Sequence, residues 1–182
     1  MGKARSKTKT KSEAPREGSS RCRIFTLQVE LCGGPVTEKF LNENPEVIRT
    51  IEMRGDQTLE DLHCAIFEAF DREEEHLYEF QVGGKRPQDR NATRYVVECA
   101  AQDCWDAEPP MLASETTLDS LALKPRDVFF YWFDFGDDWW HRIKVLGIEE
   151  KPLDRRKKHP CVTARVGQSP PQYPDWDEEE EW

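Results

Sequence analysis

Hydrophobic and polar side chains alternate over residues 25–31, so that every second position is apolar. This period of two is typical of a strand with one buried face. The segment Cys32-Gly33-Gly34-Pro35 interrupts the pattern and ends the strand. Apolar alternation returns over residues 47–53 and 77–82, which predict a second and a third strand.

A different period follows the second strand. Thr58 is a suitable N-cap, and Asp61 stands three residues later, where a capping box places its acid. The apolar positions then recur at helical spacing: Leu59, Leu62, Ile66, Ala69 and Phe70. This stripe predicts an amphipathic helix that ends before the charged residues 72–75.

The second half of the chain begins with a polar stretch at residues 84–115, which predicts an irregular insertion with one short strand at 95–98. Residues 117–121 predict a single helical turn. Two strong strands follow, over 127–135 and 139–146, separated by a turn.

The predicted order is strand, strand, amphipathic helix, strand, helical turn and strand, which is the order of a ubiquitin-like β-grasp. Short connections favour one mixed sheet with the helix packed on one face. We therefore expect an α+β domain of the β-grasp class. An extra C-terminal aromatic hairpin and the polar insertion at residues 84–115 elaborate it.

Aromatic side chains are densest in the predicted C-terminal hairpin, where they favour strands. Gly136, followed by two aspartates, is typical of a hairpin turn. Parity places Asp134 and Trp132 on one face of the first strand, and Trp139 and His141 on one face of the second. A four-residue turn would set Asp134 opposite Trp139 and diagonal to His141. A hydrogen bond between carboxylate and imidazole would then raise the pKa of the histidine.

Two sets of candidate residues lie in this hairpin. The candidate functional cluster consists of Asp134, Asp137, Asp138 and His141. The candidate binding residues are Tyr131, Trp132, Trp139 and Trp140. Clustered carboxylates with a histidine can hold Mg²⁺ or Mn²⁺ and position water, but adjacent aspartates on a turn seldom converge. Turn capping explains them more simply, so we assign no catalytic residue, no metal ligand and no cofactor.

The same segment resembles a known family. The pattern Tyr131-x-x-Asp134-Phe135-Gly136-Asp137-Asp138-Trp139-x-His141-x-Ile143 is similar to the signature of the plasmid pRiA4b Orf-3-like family, also labelled insertion-element passenger TnpR-like. The resemblance covers most of residues 24–176, including the predicted helix and the Leu118-x-x-Leu121 turn. It implies a β-grasp-like α+β domain. It implies no established biochemical activity, because the TnpR label reflects genetic neighbourhood.

The chain departs from this family near its C-terminus. Many relatives carry a cysteine before a Pro-Pro pair and an acidic-Cys-Gly-Gly stretch after it. Here Ser169 precedes Pro170-Pro171, and Gln172-Tyr173-Pro174-Asp175 follows. Cys161 is retained without these partners, so we expect neither a metal nor a redox role for it.

Charge is unevenly distributed over the 182 residues, whose formal net charge is −10. Residues 1–23 carry eight basic and two acidic side chains, a net +6, which leaves −16 on the remainder. A domain with this negative charge repels a polyanion such as nucleic acid. A surface of the folded domain that binds duplex nucleic acid is therefore disfavoured. We predict a disordered basic tail at 1–21, an Orf-3-like α+β domain at 22–174 and an acidic tail at 175–182.

Other features narrow the class of protein. No apolar run approaches the roughly 18 residues of a membrane helix, and the N-terminus lacks the apolar core of a secretory signal. The 6 cysteines form no C-x-x-C pair and fit a reducing compartment. We expect a soluble, cytoplasmic protein without a membrane partner. The phosphate-binding motifs and G-x-S-x-G are absent, which disfavours the corresponding nucleotide and serine-hydrolase chemistry.

The sequence favours a non-catalytic protein-interaction or scaffolding module, because a sheet offers a face and an edge, and aromatic residues dominate binding hot spots. One alternative is a nucleic-acid accessory protein of mobile elements that touches phosphate through the basic tail, with the basic loop at 151–158 as a second patch. The other is a metal-dependent hydrolase at Asp134, Asp137, Asp138 and His141. The sequence identifies neither the partner nor the oligomeric state.

Overall fold

A single sheet dominates the computed structural model, which describes residues 21–102, 110–154 and 156–175. The described strands are β1 (Arg21–Gly33), β2 (Ile48–Arg54), β3 (Tyr78–Val82), β4 (Thr93–Val96), β5 (Met111–Leu112), β6 (Val128–Phe133), β7 (Trp139–Pro152) and β8 (Cys161–Val166). The described α-helices are α1 (Glu38–Glu43), α2 (Leu59–Ala69) and α3 (Glu98–Gln102). Short 3₁₀ turns lie at Ala113–Glu115 and Leu118–Leu121.

The strands follow the order β5-β4-β3-β6-β7-β1-β2-β8 across the sheet. Neighbouring strands pair antiparallel, except that β4 and β5 pair parallel. The predicted α+β class with a mixed sheet is therefore confirmed. The finer β-grasp arrangement is not confirmed, since both neighbours of β1, namely β2 and β7, run antiparallel to it.

Helix α2 forms where its capping residues predict it. The Thr58 hydroxyl accepts a hydrogen bond from the Asp61 main-chain N–H at 3.1 Å, and the Asp61 carboxylate accepts one from the Thr58 N–H at 2.8 Å. This reciprocal box satisfies amides that the first turn leaves unpaired. The predicted apolar stripe is buried, including Leu59, Leu62 and Ile66. The predicted helix is thus confirmed.

The core lies between α2 and one face of the sheet, which we call the inner face. Alternate side chains of β1 and β2, among them Phe25, Leu27 and Ile51, are fully buried there. The opposite face, which we call the outer face, carries polar and half-exposed side chains along β1 and β7, such as Gln28 and Lys144. One buried and one solvated face is the usual condition of an antiparallel sheet.

Some elements differ from the sequence-based expectations. Helix α1 was not predicted; its N-cap Thr37 accepts a hydrogen bond from the Phe40 N–H at 3.2 Å. Strand β8 was not predicted either, because it is an edge strand with most side chains exposed and lacks clear alternation. The insertion contains β4, α3 and β5, and its residues 103–109 lie outside the described part of the chain.

The predicted tails fall almost wholly outside the described residues, which begin at Arg21 and end at Asp175. None of the described helices has the length and apolar character needed to cross a membrane.

Candidate functional site

The pairing of β6 with β7 fixes the geometry of the aromatic hairpin. Tyr131 lies opposite His141, Trp132 opposite Trp140, and Phe133 opposite Trp139. Residues 134–138 therefore form the turn, which is one residue longer than predicted. A shift of one residue exchanges the faces of the two strands relative to each other. The predicted placement of Asp134 opposite Trp139 is wrong for this reason.

The Asp134 carboxylate caps this turn. Its Oδ1 accepts hydrogen bonds from the main-chain N–H groups of Gly136 at 3.1 Å and of Asp137 at 3.4 Å. Its main-chain oxygen accepts another from the Asp138 N–H at 2.8 Å. The left-handed positions are Asp134 and Asp138, with φ of 53° and 56°, and not Gly136 as the turn chemistry had suggested. Aspartate tolerates this conformation better than most residues.

The other two aspartates of the turn, Asp137 and Asp138, make different hydrogen bonds. The Asp138 carboxylate accepts a hydrogen bond from the indole N–H of Trp132 at 2.9 Å. Asp137 contributes its main-chain N–H to the cap formed by Asp134. A further contact joins the Asp134 Oδ2 to His76 Nε2 at 3.4 Å. The carboxylates of Asp134 and Asp138 thus bind main-chain N–H groups and neighbouring rings.

His141, the fourth member of that cluster, is buried on the inner face. Its ring packs edge-on against Phe70, with 4.7 Å between centroids, and lies 5.3 Å from the Tyr131 ring. Neither ring nitrogen has a hydrogen-bond partner among the residues described. Burial lowers the pKa of His141 well below its usual value, and the charge of Arg72 lowers it further. The predicted upward shift of this pKa is therefore wrong.

Arg72 is a buried cation that sequence reasoning missed. Its guanidinium carbon lies 3.6 Å from the centroid of the Trp139 ring, which is a cation–π contact. Its three side-chain nitrogens are buried and hydrogen-bond to none of the described residues. Burial lowers the pKa of Arg72 to about 10. Gly34 also lies so close to the Trp139 indole that a Cβ at this position would come within 2.2 Å of the ring.

A hydrogen-bonded histidine joins α2 to the inner face of the hairpin. His63 Nδ1 lies 2.7 Å from the Tyr131 hydroxyl, and His63 Nε2 lies 3.2 Å from a Glu75 carboxylate oxygen. The imidazole also stacks on Tyr78 with 3.8 Å between centroids. Burial lowers the pKa of His63, and Glu75 acts in the opposite direction. These contacts make Tyr131 a structural link in the core.

The outer face of the hairpin carries a second aromatic group. Trp132 stacks on Trp140, with centroids 4.9 Å apart and planes at 10°. The ring centroids of Phe135 and Trp132 are 4.2 Å apart. All three side chains are half-buried. We call Trp132, Phe135 and Trp140 the outer aromatic patch.

Trp132 also borders a groove of about 450 Å³. The groove is lined by Glu79, Gln81, Gln88, Asp89, Arg90, Arg94 and Trp132. Its floor holds the buried Glu79, whose carboxylate accepts hydrogen bonds from Arg94 Nε at 2.8 Å and Gln81 Nε2 at 2.7 Å. The groove thus offers a satisfied charge network beside an aromatic surface, at a volume typical of ligand-binding clefts.

The chain and its fold are similar to known proteins. The family model described as plasmid pRiA4b ORF-3-like protein matches residues 37–173. The chain belongs to this family. The fold is also similar to the crystal structure of a protein of unknown function, MM3350 from Methanosarcina mazei Go1, with a TM-score of 0.64 and 22% identity over 85% of this chain and 76% of that one. No curated protein matches the chain.

In this pRiA4b ORF-3-like chain, side chains of the types that can bind a metal ion come together away from the hairpin. Within residues 21–102, 110–154 and 156–175, one group of three has ligand atoms that all lie within 4.8 Å of one another. It consists of Glu52, His159 and Cys161. The sequence does not predict this group, because Glu52 is far from His159 and Cys161 in the chain. Strand β8, which pairs with the strand that carries Glu52, was also not predicted.

Ser169, the residue before Pro170-Pro171, belongs to a polar network. Its hydroxyl accepts a hydrogen bond from Arg49 at 2.8 Å and donates one to Asp71 at 2.7 Å. The buried Arg49 also donates to the carbonyls of Ala69 at 2.8 Å and Val166 at 2.9 Å, so it joins the end of α2 to β8. Parity in β2 was the available signal, since Arg49 shares the buried face with Ile51.

Proposed function

We propose that this member of the pRiA4b ORF-3-like family is a non-catalytic protein-interaction module that binds its partner through the outer aromatic patch. One observation carries the proposal. Trp132 and Trp140 stack half-exposed on the outer face, although the inner-face aromatic residues of the same hairpin are fully buried. Large aromatic side chains that remain accessible on a rigid strand are typical of binding hot spots.

The patch is also held in one orientation before any partner binds. Asp138 fixes the Trp132 indole, and Asp134 fixes the turn from which Asp138 projects. A pre-ordered surface loses less side-chain freedom on association, and more of its contact energy therefore appears as affinity.

Charge indicates the kind of partner. The chain after residue 23 carries a net −16, and the Asp138 carboxylate contacts the Trp132 indole, with Asp137 next to it in the turn. Indole faces bind cations, and carboxylates pair with arginine. A protein surface that presents arginine or lysine beside apolar side chains fits these properties, and opposite charges would speed its encounter with the patch.

The hydrolase alternative receives less support. A metal-activated water needs convergent carboxylates that are free to bind an ion. Asp134 and Asp138 are instead engaged by main-chain and indole N–H groups, and both His141 nitrogens are buried.

The test is a comparison of partner capture and folding. Immobilised wild-type protein, Trp132→Ala and Trp140→Ala are incubated with lysate of the native host, and retained proteins are quantified by mass spectrometry. Leu146→Ala is the matched control, since Leu146 is an exposed apolar side chain on the same strand as Trp140. We expect a specific protein that binds the wild type and the control, loses binding to both tryptophan variants, and dissociates as salt concentration rises.

Melting curves complete this experiment. The tryptophan variants should unfold cooperatively and within a few degrees of the wild type. Retention of every specific partner by both variants would contradict the proposal. So would loss of folding in both, because the patch would then be part of the core.

The nucleic-acid role, with its TnpR-like mobile-element association, is retained as the alternative proposal. Its support is the basic character of residues 1–23 and of the loop that contains Arg156 and Lys158. A gel-shift experiment with and without residues 1–21 tests it. Binding that depends on the tail and fades with salt would support this role, whereas absence of any shift would reject it.

Two finer predictions also stay proposals. The β-grasp description is supported by the antiparallel pair β1–β2, followed by α2 packed on one face and then by β3. The cytoplasmic location is supported by the free cysteines that the structure describes.

A further inference from the structure

A histidine, a cysteine and a glutamate meet at the edge of the sheet. Glu52 on β2 is the direct cross-strand partner of Cys161 on β8. Directly opposed residues of paired strands have side chains on the same face and close together. His159 precedes Cys161 by two residues and reaches the same position.

The Nε2 atom of His159 is buried without a hydrogen-bond partner among the described residues at this point. The His159 side chain is 7% exposed. Nε2 lies 3.9 Å from a Glu52 carboxylate oxygen, which is too far for a hydrogen bond. A buried, unpaired nitrogen is costly, and one that faces a carboxylate and a thiol at this distance has the surroundings of a metal ligand.

Contrary to the expectation for Cys161 from the sequence, we propose that Glu52, His159 and Cys161 bind one Zn²⁺ ion. One sulfur, one nitrogen and one oxygen donor form a borderline-soft set that suits zinc better than magnesium or calcium. Bonds of roughly 2.0–2.3 Å place tetrahedral zinc ligands about 3.3–3.8 Å apart. The three ligand atoms already lie within 4.8 Å of one another, so binding requires only small side-chain movements.

A small cavity borders two of the three proposed ligands. Its volume is about 60 Å³, and it is lined by Glu52 and His159 and also by Cys22 and Asp154. This volume is large enough for a water molecule, which would serve as the fourth ligand. Three protein ligands and one water are the usual arrangement of an accessible zinc ion.

Zinc would take the place of the half-exposed Lys157 ammonium, which pairs with the Glu52 carboxylate, and the Cys161 thiol would release its proton to solvent as the Zn–S bond forms.

A zinc ion at this position would stabilise the edge of the sheet formed by β8. Strand β8 pairs with β2 alone among the described strands, and the preceding loop carries His159. Zinc would tie that loop and β8 to β2. The site shares no residue with the outer aromatic patch, so this inference and the proposed function can fail independently.

Zinc titration of tag-free protein against a chromogenic chelator tests the proposal. We expect one Zn²⁺ per wild-type chain, and an affinity at least about 100-fold lower in Cys161→Ser and in His159→Gln. Cys99→Ser is the matched control, because Cys99 is an exposed thiol on α3 outside the cluster. It should bind zinc like the wild type. Absence of zinc binding by the wild type, or unchanged affinity in both ligand variants, would overturn the proposal.

A second readout uses wild-type protein alone and does not depend on the folding of a variant. The rate at which iodoacetamide alkylates each cysteine is measured by peptide mass spectrometry with and without Zn²⁺. Zinc should slow alkylation of Cys161 at least tenfold and leave Cys99 unchanged. Equal rates at Cys161 with and without zinc would contradict the assignment.

Discussion

Trp139 and Trp140 are neighbours in the chain but lie on opposite faces of β7. Trp139 is fully buried and is approached closely by Arg72 and Gly34, whereas Trp140 is half-exposed and stacks on Trp132. The same contrast separates Tyr131 from Trp132 on β6. The period of two in a strand thus divides one dense aromatic run into a structural half and an accessible half.

The two faces of the sheet also differ in the hydrogen bonding of their polar groups. On the inner face, the nitrogens of His141 and Arg72 are buried without hydrogen-bond partners among the described residues. On the outer face, the Trp132 indole donates to Asp138, and Glu79 accepts from Arg94. The unpaired nitrogens of His141 and Arg72 are costly to bury, and His141 makes stability sensitive to pH, whereas the hydrogen bonds of the outer face keep its side chains ordered.

Removal of an inner-face ring should have the largest effect on stability. Tyr131→Ala deletes a side chain that is 1% exposed and breaks its 2.7 Å contact with His63. We expect the free energy of unfolding to fall by about 3–5 kcal/mol, as measured by urea denaturation. Tyr131→Phe, which keeps the ring, should lose about 1–2 kcal/mol. A loss below about 1 kcal/mol in the alanine variant would contradict the structural role of this face.

The pH dependence of stability should reveal His141. Its pKa in the folded protein lies well below the usual value, so the unfolded chain binds a proton that the folded chain does not. Stability is therefore complete above a pH of about 6.5 and falls as pH decreases below it, with a slope of up to about 1.4 kcal/mol per pH unit for this residue.

His141→Phe removes this contribution and keeps a ring against Phe70. Compared with wild type by urea denaturation, the variant should change little near pH 7.5 and gain about 1–2 kcal/mol near pH 5. His63 titrates in both proteins, so the difference between them isolates His141. Parallel stability curves across this range would show that His141 is not held neutral by burial.

The turn between β6 and β7 should make an intermediate contribution to the stability of the fold. Asp134→Ala removes the acceptor for the N–H groups of Gly136 and Asp137 and places alanine at a φ of 53°. We expect a loss of about 1–2 kcal/mol in unfolding free energy. Asp134→Asn keeps an oxygen acceptor and tolerates the backbone conformation, so it should lose less than half as much. Equal losses in the two variants would argue against capping.

The outer aromatic patch should contribute least to stability. A double-mutant cycle on Trp132→Ala and Trp140→Ala should give a coupling of about 0.5–1.5 kcal/mol for the stacked pair. Each single variant should remain folded, as judged by near-ultraviolet circular dichroism. A coupling near zero would show that the rings do not stack in solution.

The helix and the separation of faces within each strand follow directly from the sequence. Thr58 and Asp61 mark the start of α2, and the burial of Trp139, His141 and Ile143 matches their shared parity. Local hydrogen bonding and periodicity determine these features, so a short window of residues suffices to predict them.

The contacts between segments that are distant in the chain do not follow from the sequence in this way. The pairing of Tyr131 with His141 depends on a five-residue turn, and no residue pattern at Gly136 specified that length. The burial of Arg72 on Trp139 arises where the chain leaves α2, although the charged run from 72 to 75 suggested solvent. The meeting of Glu52 with Cys161 depends on β8, an edge strand with weak alternation.

The adjacent tryptophans offer the most direct test of the two-faced hairpin. Unfolding free energies of Trp139→Ala and Trp140→Ala are measured in the same urea titration. The account predicts a loss of about 3–5 kcal/mol for Trp139→Ala and of about 1 kcal/mol for Trp140→Ala. Equal losses, or a larger loss for Trp140→Ala, would contradict it.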